Sequence, residues 1–318
     1  MTRPTAIGVD IGGTQLRAAL VDADGKILSR AATRTDAAGG PVAIIAQIGV
    51  LVAEIASGAE RGNVLGIGVA VPGPLDTESG TALGIPTLTG WENVPVGRLV
   101  EQALGLPVRL ENDGIAAANG EWRFGAGRGL ANLVYVTVST GIGGGVVLDG
   151  RLVHGQRGLA GHVGHMTIVK NGQLCACGNK GCWEAYASGT ALARAAKQAF
   201  APDEGGVLQG AFDSKAVFAA ARAGDATAAR LVSEEADWLG VGIANLLHLY
   251  SPQMVVIGGG VSNGFELLQE GINARIQANA MPAFRAARIV PAALGDNSGL
   301  LGAAALLLPI PLTQRSRA

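Results

Sequence analysis

Apolar segments of two kinds alternate along the chain and predict strands and helices in turn. Short runs of Val, Ile, Leu and Ala, such as Ala6–Asp10 and Met254–Ile257, are typical of buried strands. Apolar residues spaced three or four apart predict amphipathic helices, as in Pro41–Ser57. Because strands and helices alternate throughout, we expect an α/β protein with partly parallel sheets.

The same patterns place the individual elements. The predicted strands are Ala6–Asp10, Leu16–Val21, Ile27–Ala32, Val64–Val71, Val108–Glu111, Leu133–Ser139, Val146–Leu148, Met254–Ile257 and Arg288–Ala292. The predicted helices are Pro41–Ser57, Val96–Leu104, Ile115–Trp122, Ser188–Phe200, Ser214–Ala223, Ala226–Leu249, Phe265–Asn279 and Gly299–Leu308. Thr77–Pro95 is rich in Gly, Pro and Thr and predicts a surface or binding loop; Pro202–Gly210 predicts a polar loop, and Gln314–Ala318 a frayed tail.

Composition limits the class of protein. A length of 318 residues suggests two domains or one large one, and 48% hydrophobic with 15% charged residues indicates a globular chain. The 24 basic and 25 acidic side chains leave no basic excess for nucleic acid or an anionic membrane. The apolar run Gly302–Leu308 is too short to span a bilayer, and no signal-length segment begins the sequence. We therefore expect a soluble cytoplasmic protein.

A metal site is the strongest single prediction of the sequence. All three cysteines lie within eight residues, at Cys175, Cys177 and Cys182, and His165 precedes them. One imidazole and three thiolates form the ligand set of a closed tetrahedral zinc site, and glycines around them allow tight turns. This cysteine spacing suits a metal and a reducing compartment better than a disulfide framework. The alternative is three reduced core cysteines and an unrelated histidine.

Three glycine-rich turns follow predicted strands. One carries Asp10 and Gly12-Gly13-Thr14, another carries Ser139–Gly145, and Gly258–Gly260 is the third. Successive backbone N–H groups in such turns converge on anions, and a nearby carboxylate can hold magnesium through water. Two facing turns would clamp nucleotide phosphates, and the third would let a flat ring approach the backbone. The alternative is that each is an ordinary connecting turn.

Asp113 and the remaining histidines have competing interpretations. Asp113 lies between a strand and a helix, where it is either an N-cap or a base that accepts a proton from an attacking hydroxyl during phosphoryl transfer. His248 lies in an apolar helical run and predicts a core histidine. His154 looks like an isolated loop histidine.

These motifs together resemble the ROK family (repressors, open reading frames and sugar kinases). The resemblance extends from about residue 6 to about residue 308. It is carried by Asp10–Thr14, Glu111–Asp113, Ser139–Gly145, the C-x-C-G-x2-G-C-x-E segment that ends at Glu184, and Gly258–Gly260.

The resemblance implies a fold and a division of the chain. The fold would be the two-domain actin-like ATPase architecture of hexokinases and Hsp70, with a cleft that closes on sugar and ATP. The small domain would comprise residues 1–115 with a C-terminal helix, about 297–310, returning to it. The large domain would comprise 116–296 and contain the zinc knuckle at 165–182. The family also suggests a homodimer.

The resemblance further implies an ATP-dependent sugar 6-kinase and a role for each motif. Asp113 would be the catalytic base, and the zinc ion would be structural. Sugar hydroxyls would be bound by Asn112, Asp113, His162, His165 and Glu184. ATP and its Mg²⁺ would be bound by Asp10, Gly12, Gly13, Thr14, Thr140, Gly141, Gly259 and Gly260. Zn²⁺ would be held by His165, Cys175, Cys177 and Cys182.

Two departures from the family pattern bear on the substrate and the nucleotide. Gln15 stands where the family usually has lysine, so one positive charge is missing near the phosphates; Arg17 is a candidate replacement. His162 stands where glucose-specific members usually have glutamate. The run GLAGHVGH at 158–165 looks most like N-acetylmannosamine kinases, whereas IPTLTGWEN at 85–93 looks more like glucokinases. N-acetylmannosamine is favoured, with glucose as the alternative.

Two other functions compete with the kinase. The family includes sugar-responsive transcriptional regulators, but only nine residues precede Asp10 and no basic helix is present to bind DNA. A zinc-ribbon interaction module without enzymatic activity would leave the glycine turns and Asp113 unexplained.

Overall fold

The structure is a computed structural model, and it describes residues 3–56, 63–85, 87–200, 208 and 211–310. The predicted loop at 202–210, apart from Leu208, and the predicted tail at 314–318 lie outside these residues. The described helices are α1 (Gly40–Ile55), α2 (Val96–Leu104), α3 (Asp113–Phe124), α4 (Glu184–Ala187), α5 (Gly189–Phe200), α6 (Ser214–Arg222), α7 (Ala226–Tyr250), α8 (Phe265–Asn279) and α9 (Ser298–Ala305).

The strands form three sheets. They are β1 (Thr5–Ile11), β2 (Gln15–Asp22), β3 (Ile27–Arg34), β4 (Val64–Val71), β5 (Leu75–Asp76), β6 (Thr81–Gly84), β7 (Glu92–Val94), β8 (Val108–Asn112), β9 (Leu133–Val138), β10 (Ile142–Leu148), β11 (Arg151–Leu152), β12 (Met254–Gly258) and β13 (Arg288–Pro291). Their orders are β3-β2-β1-β4-β8, β11-β10-β9-β12-β13 and β5-β6-β7. The α/β prediction is confirmed, including the mixture of parallel and antiparallel pairs.

The chain divides into two compact units. The first comprises Met1–Ala131, Gly145–Gly161 and Ala293–Ala318, and the second comprises Asn132–Gly144 and His162–Ala292. The first unit includes α3, which packs along α9. The division into functional domains at residue 115 stays a prediction.

Close backbone contacts hold α9 on the first sheet and on α3. A Cβ on Gly68 of β4 would lie 1.8 Å from the carbonyl oxygen of Ala303, and a Cβ on Gly120 of α3 would lie 2.2 Å from that of Ser298. Glycine at these positions lets helix and sheet backbones approach directly. On the other face of the sheet, α1 packs against β2 and β3 and covers a core of Val, Ile and Leu.

The second unit contains the parallel strands β9, β12 and β13 with their helices. β12 pairs in parallel with both β9 and β13, and α7 packs against α6 and α8. The buried strand predicted at Met254–Ile257 is fully buried. Among the described residues, no helix is long and apolar enough to cross a membrane.

Three local predictions were wrong in detail. Part of the predicted loop Thr77–Pro95 forms strands β6 and β7, which complete a small antiparallel sheet with β5. Gly143, Gly144 and Gly145 lie in β10 instead of a turn, and Gly145 packs against α3, where its Cβ would lie 2.6 Å from that of Ala118. His248 is exposed, and its Nε2 accepts a hydrogen bond from the Met281 N–H at 3.1 Å.

Candidate active site

The first glycine turn joins β1 to β2 in the first unit. The Gly12 N–H donates to the carbonyl oxygen of Gln15 at 3.0 Å and closes the turn. Thr35, the residue after β3, fixes the turn: its Oγ1 donates to the Gly12 carbonyl oxygen at 2.7 Å, and its N–H donates to that of Thr14 at 3.0 Å. Gly13 and Thr14 remain exposed at the tip. The turn is therefore preformed, with backbone available to an anion.

Asp10 lies buried just before this turn and is paired with Arg17. The Arg17 guanidinium donates to Oδ2 of Asp10 and, at 2.8 Å, to the carbonyl oxygen of Asp296. Burial raises the pKa of Asp10, while the charge and hydrogen bond of Arg17 act in the opposite direction. Arg17, the candidate replacement for the missing lysine, is thus already in an ion pair with Asp10.

Arg34 is a second cation near the turn, and the sequence analysis did not identify it. The antiparallel register pairs Arg34 with Gln15, so the two residues are cross-strand neighbours. A cavity of about 500 Å³ is lined by Gly13, Thr14, Arg34, Thr35, Asp36, Ala37 and Ala38. Within the described residues the Arg34 guanidinium makes no hydrogen bond or ion pair. The Asp24-Gly25 turn predicts a hairpin of β2 and β3, and the register of that hairpin could have indicated that Arg34 lies opposite Gln15.

Asn112, and not Asp113, caps α3. The Asn112 Oδ1 accepts from the N–H groups of Gly114 at 2.9 Å and Ile115 at 3.4 Å, and its backbone is extended. Asp113 is the first residue of the helix, and its Oδ1 accepts from the same Gly114 N–H at 2.8 Å. The N-cap alternative for Asp113 is therefore wrong, since Asn112 holds that role.

The electrostatics of Asp113 suit a general base. Burial first, and then the negative charge of Asp10, raise its pKa to about 6, while hydrogen bonds from the backbone N–H groups of Gly114 and Asp113 act in the opposite direction. A base is most effective when its pKa lies near the working pH. The two predicted carboxylates thus interact within one unit, although they are 103 positions apart in sequence (113 − 10).

The predicted metal ligands lie together in the second unit. The ligand atoms of His165, Cys175, Cys177 and Cys182 are all within 4.8 Å of one another. Nδ1 of His165 lies 3.7 Å from Sγ of Cys175, and the Sγ atoms of Cys177 and Cys182 are 3.7 Å apart. Tetrahedral bonds of about 2.3 Å would separate neighbouring ligands by about 3.7 Å. The four residues therefore fit a tetrahedral cation.

Local backbone structure brings these ligands together. Isolated bridges join Thr167 to Cys182 and Leu174 to Lys180. Gly181 has a φ of +90°, and a Cβ there would lie 1.7 Å from the Val169 carbonyl oxygen. Burial raises the pKa of the Cys175 thiol to about 12, so a cation is needed to stabilise its thiolate at neutral pH.

Glu184 connects the cysteine cluster to the second glycine turn. Its Oε2 accepts from the Ile142 N–H at 2.8 Å, and its Oε1 lies 3.6 Å from Sγ of Cys175. A Cβ on Gly141 would lie 2.3 Å from Oε2, so a larger residue there would displace this carboxylate. The sequence assigned Glu184 to the sugar; the structure shows that it also braces the turn.

The two histidines of the GLAGHVGH segment differ in environment. Nδ1 of His165 faces the thiols, which leaves Nε2 as the nitrogen available to another partner. The ring of His162 lies 6.3 Å from that of His165, measured between centroids. Burial lowers the pKa of His162, and His165 lowers it further. At neutral pH His162 is therefore a neutral imidazole with one donor and one acceptor.

Two glycine motifs lie in the second unit, one after β9 at Thr140 and Gly141 and one after β12 at Gly259 and Gly260. Ser139 N–H donates to the Gly141 carbonyl oxygen at 2.9 Å, and Thr190 Oγ1 donates to that of Thr140 at 2.7 Å. Gly259 has a φ of +82°, and a Cβ there would lie 2.4 Å from the Val138 carbonyl oxygen. Of the residues that the structure describes, none has a heavy atom within 4 Å of a Cβ placed on Gly260. A flat group could approach the backbone there.

The protein has the actin-like ATPase fold, as its strands, glycine turns and buried carboxylates indicate. The ROK family model matches residues 6–309, and the chain belongs to that family. Glucokinase from Thermotoga maritima is 36% identical over 314 residues, covering 96% of this chain and 98% of its own. N-acetylmannosamine kinase from Escherichia coli is 37% identical over 304 residues, covering 95% and 98%.

A solved structure supports the same assignment. The ROK family glucokinase from Streptomyces griseus, in complex with glucose and AMPPNP, superimposes with a TM-score of 0.83 at 38% identity. The match covers 95% of this chain and 99% of that one.

Proposed function

We propose that this protein is an ATP-dependent sugar kinase that phosphorylates the 6-hydroxyl of N-acetylmannosamine. The observation that carries the proposal is Asp113, a carboxylate with a pKa of about 6 in the same unit as the buried Asp10 and its glycine turn. Such a base can accept the proton of the attacking hydroxyl, as phosphoryl transfer requires. The named relatives, two kinases and a kinase bound to AMPPNP, support the reaction class.

The nucleotide would be bound by backbone groups of the glycine motifs. The phosphates would be held by Gly12, Gly13, Thr14, Thr140 and Gly141, and the adenine would lie along Gly259 and Gly260. Asp10 would hold Mg²⁺ through water, and the ion would neutralise charge on the transferred phosphoryl group. Arg34 supplies an unpaired positive charge in the cavity at Gly13 and Thr14, which supports phosphate binding at this turn.

The sugar would be bound by Asn112, His162, His165 and Glu184 together with Asp113. We propose Zn²⁺ as the cation of the cysteine cluster, with a structural role. It would fix the His165 ring so that Nε2 points to a sugar hydroxyl, because a metal ligand of one ring nitrogen orients the other.

The choice of sugar would depend on His162. A neutral imidazole can donate a hydrogen bond to an N-acetyl carbonyl, which a carboxylate cannot do. Glucose remains the second candidate because the 85–93 segment resembles glucokinases and relatives with that name match the chain. A coupled assay of ADP release over glucose, mannose, N-acetylglucosamine and N-acetylmannosamine tests both. No turnover with any sugar would contradict the kinase assignment.

Changing His162 to glutamate should shift the preference toward glucose. The ratio of kcat/KM for glucose to that for N-acetylmannosamine should rise by about tenfold or more, since a donor is replaced by an acceptor. The measurement is the ADP-release assay with both sugars, and His248→Glu is the matched control. An unchanged ratio would show that His162 does not select the sugar.

The pH dependence of kcat/KM should reflect the protonation of the Asp113 carboxylate. Its raised pKa means that the carboxylate becomes protonated as the pH falls through about 6, so it can no longer accept the hydroxyl proton. We expect kcat/KM to fall by about tenfold per pH unit below that value. A profile that stays flat down to about pH 5 would contradict a base with the environment of Asp113.

DNA retention in a mobility-shift assay would favour the transcriptional regulator over the kinase.

The homodimer stays a prediction, which analytical ultracentrifugation can test.

A further inference from the structure

His154 contacts strand β8, which leads directly into the candidate base at the start of α3, although the sequence presents it as an isolated histidine. Backbone hydrogen bonds fix its loop: the Val153 N–H donates to the Val146 carbonyl oxygen at 2.8 Å, and the Ala160 N–H donates to that of His154 at 3.0 Å. Nε2 of His154 lies 2.8 Å from Oε2 of Glu111. The Glu111 side chain is only 3% exposed, whereas that of His154 is 44% exposed.

Glu111 uses its other oxygen on the backbone next to Asp113. Its Oε1 accepts from the Asn112 N–H at 2.9 Å. β8 is an edge strand of the first sheet, so part of its backbone has no neighbouring strand to bond with. The Glu111 carboxylate supplies the acceptor for the residue that caps α3.

A shared donor links Asn112 to Asp113. The Gly114 N–H lies 2.9 Å from Oδ1 of Asn112 and 2.8 Å from Oδ1 of Asp113. A movement of Asn112 therefore changes how strongly this N–H binds the Asp113 carboxylate. The contacts run without a gap from His154 through Glu111 and Asn112 to Asp113.

We propose that His154 is a positioning residue for phosphoryl transfer. By holding Glu111, it fixes the Asn112 backbone and thereby the orientation of the Asp113 carboxylate. The inference rests on the proposed function of Asp113 as the base. A displacement of a reacting group by about 1 Å can reduce the rate by about 10²-fold, so a fixed carboxylate matters to the chemical step.

The His154–Glu111 pair should respond to pH. Both residues line a cavity of about 920 Å³ in the first unit, where the other charged lining residues are Glu78, Arg98, Glu101, Arg109, Arg123 and Arg151. The hydrogen bond to Glu111 raises the pKa of His154 above its ordinary value, and Glu111's charge and a backbone bond to Leu152 add to this. Burial of His154 opposes this shift, so the charged pair is present below the raised pKa and is lost as the pH rises through it.

The test compares His154→Leu, which removes the donor, with His154→Gln, which keeps a neutral donor. For His154→Leu we expect kcat to fall by about tenfold while KM for ATP changes by less than about twofold, because positioning affects the reacting atoms rather than binding. His154→Gln should recover kcat to within about threefold and should remove any decline of kcat above neutral pH. His248→Leu, in the second unit, is the matched control and should leave kcat unchanged.

Hydrogen–deuterium exchange separates this inference from the proposed function. The Asn112 amide should exchange faster in His154→Leu than in the wild type or in His154→Gln, whether or not the protein is a kinase. Faster exchange in a protein without kinase activity would overturn the proposed function, and with it the catalytic role of His154. Unchanged exchange, or an equal loss of kcat in the Leu and Gln variants, would overturn the positioning role.

Discussion

Replacing Asp113 with asparagine should lower kcat by about 10²–10⁴-fold while changing the dissociation constant of the sugar by less than about threefold. Asparagine keeps the shape and the acceptor for the Gly114 N–H, but it cannot accept the proton of the attacking hydroxyl. The loss should therefore fall on the chemical step. The measurements are ADP release for kcat and calorimetric titration for sugar binding.

Asp225→Asn is the matched control for this change. Asp225 also lies at the start of a helix, where its Oδ1 accepts from the Ala228 N–H at 2.7 Å, and asparagine is an equally good N-cap. Its kcat should equal that of the wild type. If Asp113→Asn retained kcat within about tenfold of the wild type, Asp113 would not be the base.

Loss of the proposed zinc ion from the cysteine cluster should have the second large effect, on stability. Structural zinc stabilises small peptide sites by about 10–16 kcal/mol, and loss of one of the four ligands removes a large part of this binding free energy. Cys177→Ser, or treatment with a strong chelator, should therefore lower Tm by about 10 °C or more. Thermal unfolding followed by circular dichroism, with metal analysis of the purified protein, provides the measurement.

Lys180→Ser is the control, because Lys180 is exposed in the same segment and is not a ligand. Its Tm should match that of the wild type. A purified protein without zinc, or a Cys177→Ser variant with unchanged Tm, would contradict the structural role. The chelated protein should also lose sugar affinity, since the His165 ring would no longer be oriented from its Nδ1 side.

The environment of Asp113 shows where prediction from sequence ends. A carboxylate between a strand and a helix is visible in the sequence, but the same position suits an N-cap or a base. The structure excludes the N-cap because Asn112 takes the capping bonds, and the pKa of Asp113, raised by burial and by Asp10, supports the proposed base. Desolvation depends on the whole surroundings of a side chain, which no local pattern encodes.

The histidines show the same limit. His165 was predicted as a metal ligand because its partners are close in sequence. The sequence did not predict the contact between His154 and Glu111, which are 43 positions apart. Only the folded chain brings the loop after β11, which contains His154, next to strand β8. His248 was predicted in the core from its apolar neighbours, but its face of α7 is exposed.

The sequence by itself determined most of the strands and helices, the position of the first glycine turn and the candidate cluster of His165, Cys175, Cys177 and Cys182. These follow from periodicity and from residue types within short segments, where chemistry and spacing are directly readable. Only the tertiary structure decided that α3 joins the first unit, that Glu184 braces the Gly141 turn and that Arg34 stands beside Gln15. Such contacts join distant segments, so they depend on packing and register, which are set when the chain folds.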